Sequence, residues 1–112
     1  MLALTNQDRT DHDRPTLTLD EELSVYAHKH SQAMADAGFL FHTADLAAHL
    51  KGKDWSVAGE NVGVGDTLPT LEDAFMASKP HRKNILRRGY DYAGIGVVLA
   101  AGALWVTVIF YG

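Results

Sequence analysis

The chain has 112 residues, enough for one domain with a modest hydrophobic core. Its net charge of -4 argues against a dedicated nucleic-acid binder, and no apolar run is long enough to cross a bilayer. Because cysteine is absent, disulfides and Cys-ligated zinc are excluded, and any metal would need histidine and carboxylate ligands.

The N-terminal segment predicts a short helix over residues 2–12, with Asn6 and Arg9 on one face, and a break at Pro15. The first residues lack the basic and apolar regions of a signal peptide, so none is present in this chain. Since the chain starts inside a predicted helix, we expect a single domain over 1–112 from which a leader has been removed.

The next segment carries the clearest helix start. Thr18 and Glu21 have the spacing of a capping box, in which each side chain bonds the other residue's backbone amide. Apolar residues then recur at helical spacing, and Gly38 follows as a stop signal. This pattern predicts a helix over residues 19–37, with Ala33 and Ala37 on its core-facing side.

The middle of the chain alternates irregular and regular segments. Residues 43–57 have no clear period and predict a loop with a short helical turn. The glycine-spaced run 59–65 predicts a strand that passes close to other backbone. Thr70, followed by acidic residues, predicts the start of a helix that reaches Ala77.

The C-terminal third predicts a hairpin of two apolar strands, 93–100 and 103–111, joined by a turn at 101–102. Helices followed by a strand, another helix and a hairpin favour the α+β class. We therefore expect three or four helices packed on a central antiparallel sheet of about three strands.

Three polar islands interrupt this apolar-rich chain, and we interpret them as one convergent site. The first is Phe41-His42-Thr43 and the second is Gly59-Glu60-Asn61. The third runs from Ser78 to Leu86 and contains His81, ahead of the strand that begins near Gly94-Ile95-Gly96. His42, Glu60 and His81 are thus the central candidates, with Phe41, Asn61 and Ser78 beside them and Trp55 as a cleft wall.

Two imidazoles and a carboxylate with an open position are a known zinc ligand set, so zinc at His42, His81 and Glu60 is one hypothesis. The other is that Glu60 only hydrogen-bonds its neighbours and holds the cleft together. A metal-free hydrolase using Ser78 or Thr43 beside a histidine is disfavoured, because no nucleophile elbow or triad spacing is present.

The remaining polar residues have structural interpretations. His30 is predicted to be a hydrogen-bonded core residue, whereas His12, His28 and His49 are predicted to face solvent. Arg82 and Asn84 are predicted to position the His81 turn through bonds to nearby carbonyls. A basic cluster is interpreted as a solvated face balanced by Glu72 and Asp73; its members are Lys79, Arg82, Lys83, Arg87 and Arg88.

The ordered set of these motifs, from Asn6-x-x-Arg9 to the strand containing Trp105 and Phe110, resembles the CAP superfamily. This superfamily comprises the cysteine-rich secretory, antigen 5 and pathogenesis-related proteins, and its domain is also called SCP. The chain is similar to the cysteine-free bacterial branch. The resemblance covers nearly all 112 residues and implies an α-β-α sandwich with a cleft of two histidines and up to two glutamates.

The resemblance assigns the cleft histidines to His42 and His81 and the first glutamate to Glu60. The second glutamate of the family falls on Ser78, and Val108 stands where a glutamine is usual, so this chain lacks both. These departures weaken the case for a full catalytic set.

Three hypotheses follow. The first is an extracellular or cell-envelope domain, monomeric, that binds a small or lipid-like ligand or a partner at the cleft, without established catalysis. The second is a zinc-dependent, peptidase-like hydrolase using the same three residues. The third is an interaction scaffold that leaves the cleft unused. Location and lipid association are implied by the resemblance alone.

Overall fold

The computed structural model describes all 112 residues as five helices and one four-stranded sheet. The elements in chain order are α1 (Leu2–Asp11), β1 (Thr18–Leu19), α2 (Glu21–Ala37), α3 (Leu46–His49), β2 (Ala58–Gly65), α4 (Leu68–Ala77), α5 (Lys79–Ile85), β3 (Tyr92–Ala100) and β4 (Ala103–Tyr111). The strand order is β1-β3-β4-β2, with β1 parallel to β3 and the other pairs antiparallel.

Strand β4 lies at the centre and is buried on both faces. Val106, Val108 and Phe110 pack into one apolar cluster with residues of α4 and α5, while Ile109 and Tyr111 pack into a second cluster with α2. Successive side chains of a strand point to opposite faces, so one strand supplies both cores. The predicted α-β-α sandwich is therefore confirmed.

Helix α2 lies unusually close to β3. A Cβ atom built on Gly96 would lie 2.2 Å from the backbone carbon of Ala27, and one on Gly94 would lie 2.5 Å from Leu23 Cγ. Both glycines therefore leave room for the close approach of α2. Ser31 fixes the same contact, because its hydroxyl donates to the Gly96 carbonyl at 2.9 Å.

Two predicted helix starts are wrong. Asp20, not Thr18, caps α2, and its carboxylate accepts from the Leu23 amide. Thr18 instead belongs to β1, which pairs with β3 and adds the fourth strand. Helix α4 begins at Leu68 with Thr67 as its cap, one turn before the predicted Thr70.

The predicted face of α2 is also wrong at two positions, because Ala33 and Ala37 are exposed. The first helix, the turn at α3, strand β2 and the hairpin occur where they were expected, within one or two residues. Helix α1 is joined to the chain that follows it by Asn6, whose side chain bonds both the amide and the carbonyl of Leu17.

The radius of gyration is 13.0 Å, the value expected for a compact chain of this length. None of the five helices combines the length and the apolar character that crossing a membrane requires.

Candidate functional site

The candidate site is arranged around β2, the outer strand of the sheet. Glu60 pairs with Ile109 and therefore faces α2, whereas Asn61 pairs with Val108 and faces α4 and α5. The two adjacent residues of the Gly-Glu-Asn motif thus lie on opposite sides of the sheet. Each one organises a different histidine.

On the α2 side, the buried carboxylate of Glu60 holds His42. Glu60 Oε1 lies 2.8 Å from His42 Nδ1 and accepts from the Thr43 amide at 2.9 Å. Glu60 Oε2 accepts from the Thr43 hydroxyl at 2.6 Å, and that hydroxyl in turn accepts from Tyr26 at 3.0 Å. Both carboxylate oxygens are therefore bonded within the protein.

This arrangement defines the state of the His42 ring. A carboxylate oxygen accepts, so Nδ1 of His42 carries the proton that it donates, and Nε2 is left for other contacts. The His42 side chain is 66% exposed, whereas that of Glu60 is only 4% exposed. A fixed imidazole is thus presented to solvent by a buried acid.

On the opposite side, His81 lies in the first turn of α5. Its Nδ1 is 2.7 Å from the Ser78 hydroxyl, and its ring stacks on Phe75 with centroids 4.9 Å apart. Burial lowers the pKa of His81, and the nearby His42 lowers it further, while the Val62 backbone acts in the opposite direction. The His81 ring is consequently harder to protonate than a free imidazole.

Asn61 anchors α5 to the strand. Its side-chain amide donates to the His81 carbonyl at 3.0 Å and accepts from Asn84 at 2.9 Å. Asn84 also donates to the Glu60 carbonyl at 3.2 Å, and the Tyr90 hydroxyl donates to Asn84 at 3.4 Å. The positioning role predicted for Asn84 is therefore present, and Asn61 is a support residue with 1% exposure.

The three predicted zinc ligands do not fit a common metal centre. Nowhere do three histidine or carboxylate side chains come together in an arrangement that would hold a metal ion. Glu60 lies behind His42, with both oxygens occupied, instead of beside it. Its position is that of a group that orients a histidine, and only two imidazoles remain as possible ligands.

Two other predicted cleft residues, Phe41 and Trp55, make no hydrogen bond or ring contact with His42 or His81. The Phe41 carbonyl is 2.7 Å from His30 Nε2, and the Phe41 ring packs edge-on against the His30 ring. This contact confirms His30 as a bonded core residue. Trp55 is 36% exposed, and neither a hydrogen bond nor a ring contact joins it to His42 or His81.

Three further expectations about polar residues need correction. His12 is half-buried, because its ring bonds the Asp8 carbonyl and contacts the Arg82 guanidinium at 3.2 Å. Arg82 therefore contacts a ring and not a carbonyl. Glu72 is buried at 3% exposure and bonds Thr5 of α1, so it does not balance the basic cluster.

The sequence does not indicate the role of Tyr26, and it suggests a role for Thr43 that the structure does not support. Thr43 was considered only as a disfavoured nucleophile, although it supplies two of the three bonds to Glu60. The position of Tyr26 in the helical pattern gives no sign that its hydroxyl completes the chain to Glu60. A hydroxyl directly after a site histidine was the only available signal for Thr43.

The fold and these two supported histidines define an α-β-α domain of the SCP type. The chain matches the cysteine-rich secretory protein family, CAP, over residues 2–110 and belongs to that family. It contains no cysteine, as expected for the bacterial branch.

Several relatives share this domain. An uncharacterized Bacillus subtilis protein, YkwD, is 33% identical over 94% of this chain and 43% of its own length. The crystal structure of an extracellular SCP-domain protein from Bacillus anthracis is 30% identical, with a TM-score of 0.82, over 98% of this chain and 38% of that one. This chain thus spans less than half the length of these relatives.

A third comparison concerns the fold alone. An outer surface protein from Borrelia burgdorferi has a TM-score of 0.86 at 16% identity, and the match covers 98% of this chain and 87% of that one. The domain architecture therefore persists where little of the sequence does.

Proposed function

We propose that this chain is a ligand-binding CAP domain that acts outside the cytoplasm and takes a small or lipid-like ligand, or a partner, between His42 and His81. The observation that carries the proposal is the exposed His42 imidazole, held in one orientation by the buried Glu60. The simplest role for a buried carboxylate with three hydrogen bonds inside the protein is to position the group that it holds.

The two histidines offer complementary chemistry. The Nε2 atom of His42 is free to bond a ligand, and His81 presents a ring that stacks on Phe75 and whose pKa is lowered by burial. Lys79 and Arg82 lie on the same short helix as His81, and neither pairs with a carboxylate. A ligand with an acidic or hydrogen-bonding head and an apolar body suits this combination.

The location outside the cytoplasm is supported by two similar structures, one of an extracellular protein and one of an outer surface protein. Binding by the CAP domain without catalysis is also supported by the chain's own residues. Ser78 replaces the second glutamate implied by the family resemblance, and Glu60 is not available as a metal ligand.

A zinc-dependent hydrolase remains the second proposal, reduced to a site of two imidazoles. His42 fits such a site because a carboxylate behind a ligating histidine is a common support for bound zinc. In that case zinc would supply an acidified water, and His42 and His81 would hold the ion.

Calorimetric zinc titration of the native chain, beside His42→Ala and His81→Ala, separates these proposals. His28→Ala is the matched control, because His28 is an exposed histidine on α2. If the chain is a binding domain without catalysis, we expect no zinc site of defined stoichiometry. A one-to-one site that vanishes in both folded variants, and persists in the control, would favour the hydrolase.

The same four proteins are then titrated with a short-chain phosphatidylglycerol below its micelle concentration, and histidine ring signals are followed by NMR. We expect the His42 and His81 signals of the native chain to shift together. If both signals stay unchanged, or if the two alanine variants bind as the native chain does, an acidic lipid is not the ligand of this site.

A further inference from the structure

A pocket of the molecule lies away from the candidate site. It is an open groove of about 400 Å³ between α2 and β3, lined by Glu21, Ser24, Val25, His28, Lys29 and Ile95. Val25 is 59% exposed in this groove, although it is a branched apolar residue. The groove is therefore lined by none of the candidate-site residues.

The groove borders an unpaired stretch of the sheet. Strand β1 pairs only with Tyr92 and Ala93, so β3 has no neighbouring strand on that side from residue 94 to residue 100. The Ile95 amide is bonded by the Ser24 hydroxyl, and Leu99 beyond it is 70% exposed. Unpaired strand edges of this kind are templates for association with another chain.

The charges of α2 are symmetric about Val25. Glu21 lies four residues before it and Lys29 four residues after it, and all three line the same groove. Neither Glu21 nor Lys29 forms an ion pair within the chain. Residues four apart lie on one face of a helix, so this face presents one negative end, an apolar centre and one positive end.

In place of the monomer expected from the sequence, we propose that this face is a homodimer interface in which two copies of α2 lie antiparallel across a two-fold axis at Val25. In a two-fold interface the same patch meets itself, so Glu21 of each copy faces Lys29 of the other. The two valines meet on the axis, and the free edges of the two β3 strands come side by side. A second copy of the chain is the occupant we propose for the groove, because its charges are complementary to those that line it.

Sedimentation equilibrium of the chain up to about 1 mM tests the proposal, since this covers even weak association. We expect a monomer–dimer equilibrium that weakens at high salt, because two exposed ion pairs contribute. Glu21→Lys and Lys29→Glu each place like charges opposite one another, and each is expected to weaken the dimer by about tenfold or more. Circular dichroism checks folding, since Glu21 lies in the first turn of α2.

Mixing the two variants gives the decisive measurement. In a heterodimer, both charged residues of the Glu21→Lys chain are lysines and both of the Lys29→Glu chain are glutamates, so every contact is attractive. An equimolar mixture should therefore dimerise more strongly than either variant alone. The Glu21→Lys/Lys29→Glu double variant should also recover the native affinity, because it reverses both pairs.

Val25→Asp supplies an independent check, because it places two carboxylates on the axis and should abolish the dimer while leaving the fold intact. A native chain that stays monomeric throughout the concentration range would overturn the proposal. So would a dimer that is unaffected by the charge changes, or a mixture that associates no better than its components. Asp36→Lys, at an exposed residue of α2 outside the groove, is the control expected to dimerise as the native chain does.

Discussion

The side chain of Arg9 donates to the main-chain carbonyl of Ile85 at 2.8 Å, across 76 positions of sequence. The same guanidinium bonds the carbonyls of Pro15, Arg87 and Tyr90, and Arg9 is fully buried. No carboxylate pairs with it. One side chain therefore joins α1 to the segment that leads from α5 into β3.

Arg9→Met should be strongly destabilising, because it leaves four carbonyl groups without this donor. Hydrogen bonds from a charged donor contribute about 1.5–3 kcal/mol each, so we expect a loss of at least about 3 kcal/mol in the free energy of unfolding. Urea denaturation measures it. Arg88→Met, at an exposed arginine, is the control and should change stability by less than about 0.5 kcal/mol.

The chain of bonds from Tyr26 through Thr43 to Glu60 predicts a graded effect of removing each hydroxyl. Thr43→Val leaves Oε2 of a buried carboxylate without a donor, which should cost about 2 kcal/mol. Tyr26→Phe removes a donor from a hydroxyl that keeps its own bond to Glu60, so it should cost about 1 kcal/mol. Equal losses, or the reverse order in urea denaturation, would show that Glu60 does not depend on Thr43.

Glu72 predicts a pH-dependent stability. Burial raises the pKa of its carboxyl to about 8, and the neighbouring Asp8 adds to the rise. The folded chain therefore holds a proton there that the unfolded chain releases above its ordinary pKa. Stability should fall as the pH rises from about 4.5 to about 8, since the unfolded state binds fewer protons in that window.

Thermal unfolding across this window measures the effect, with Glu72→Gln as the test variant. Glutamine cannot ionise, so the variant should lose most of the decline and should be at least as stable as the native chain at pH 8. Glu22→Gln, at an exposed carboxyl, is the control and should keep the native slope. An unchanged slope in the Glu72 variant would mean that another group causes the decline.

The close contact between Gly96 and α2 predicts that a larger residue at position 96 is not tolerated. Gly96→Ala would place a Cβ atom 2.2 Å from the Ala27 backbone, so the helix must shift. We expect a loss of about 3 kcal/mol or failure to fold. Gly65→Ala is the matched control, because its Cβ would meet Leu71 at an ordinary distance of 3.6 Å. Similar midpoints in urea would refute the close contact.

His42 is expected to affect the pKa of His81. His42→Ala should raise the pKa of His81 towards its ordinary value, because it removes the electrostatic interaction with His42, although burial remains the larger cause of the lowered value. NMR titration of the ring protons reports this directly. His49→Ala removes an exposed histidine on α3 and should leave the His81 titration unchanged. An unaltered His81 curve in the His42 variant would place the two rings too far apart for a joint site.

Local sequence patterns were sufficient to predict much of the fold. The β-branched run from Trp105 to Phe110 and the helical spacing that begins at Leu23 are strong signals within short windows. The cap of α2 was misplaced because Thr18 is drawn into a strand by Tyr92, which is distant in sequence. No sequence pattern around Thr18 could therefore indicate its pairing with Tyr92.

The candidate site, like the fold, could be predicted from the sequence only in part. Motif order predicts that His42, Glu60 and His81 share one region, and the structure places His42 and Glu60 in direct contact. The sequence could not show that Thr43 occupies both oxygens of Glu60, which changes the glutamate from a possible ligand to a support. Likewise, nothing near Glu72 indicates that it faces Thr5 and not the basic cluster.

Glu60 and Asn61 face opposite sides of the sheet, and this arrangement ties the site to the integrity of β2. A single-residue insertion or slip ahead of Glu60 would exchange the two side chains, turning the acid towards α5 and the amide towards His42. Both histidines would lose their supports in one event. A change in the length of this strand would therefore disrupt the two halves of the site together.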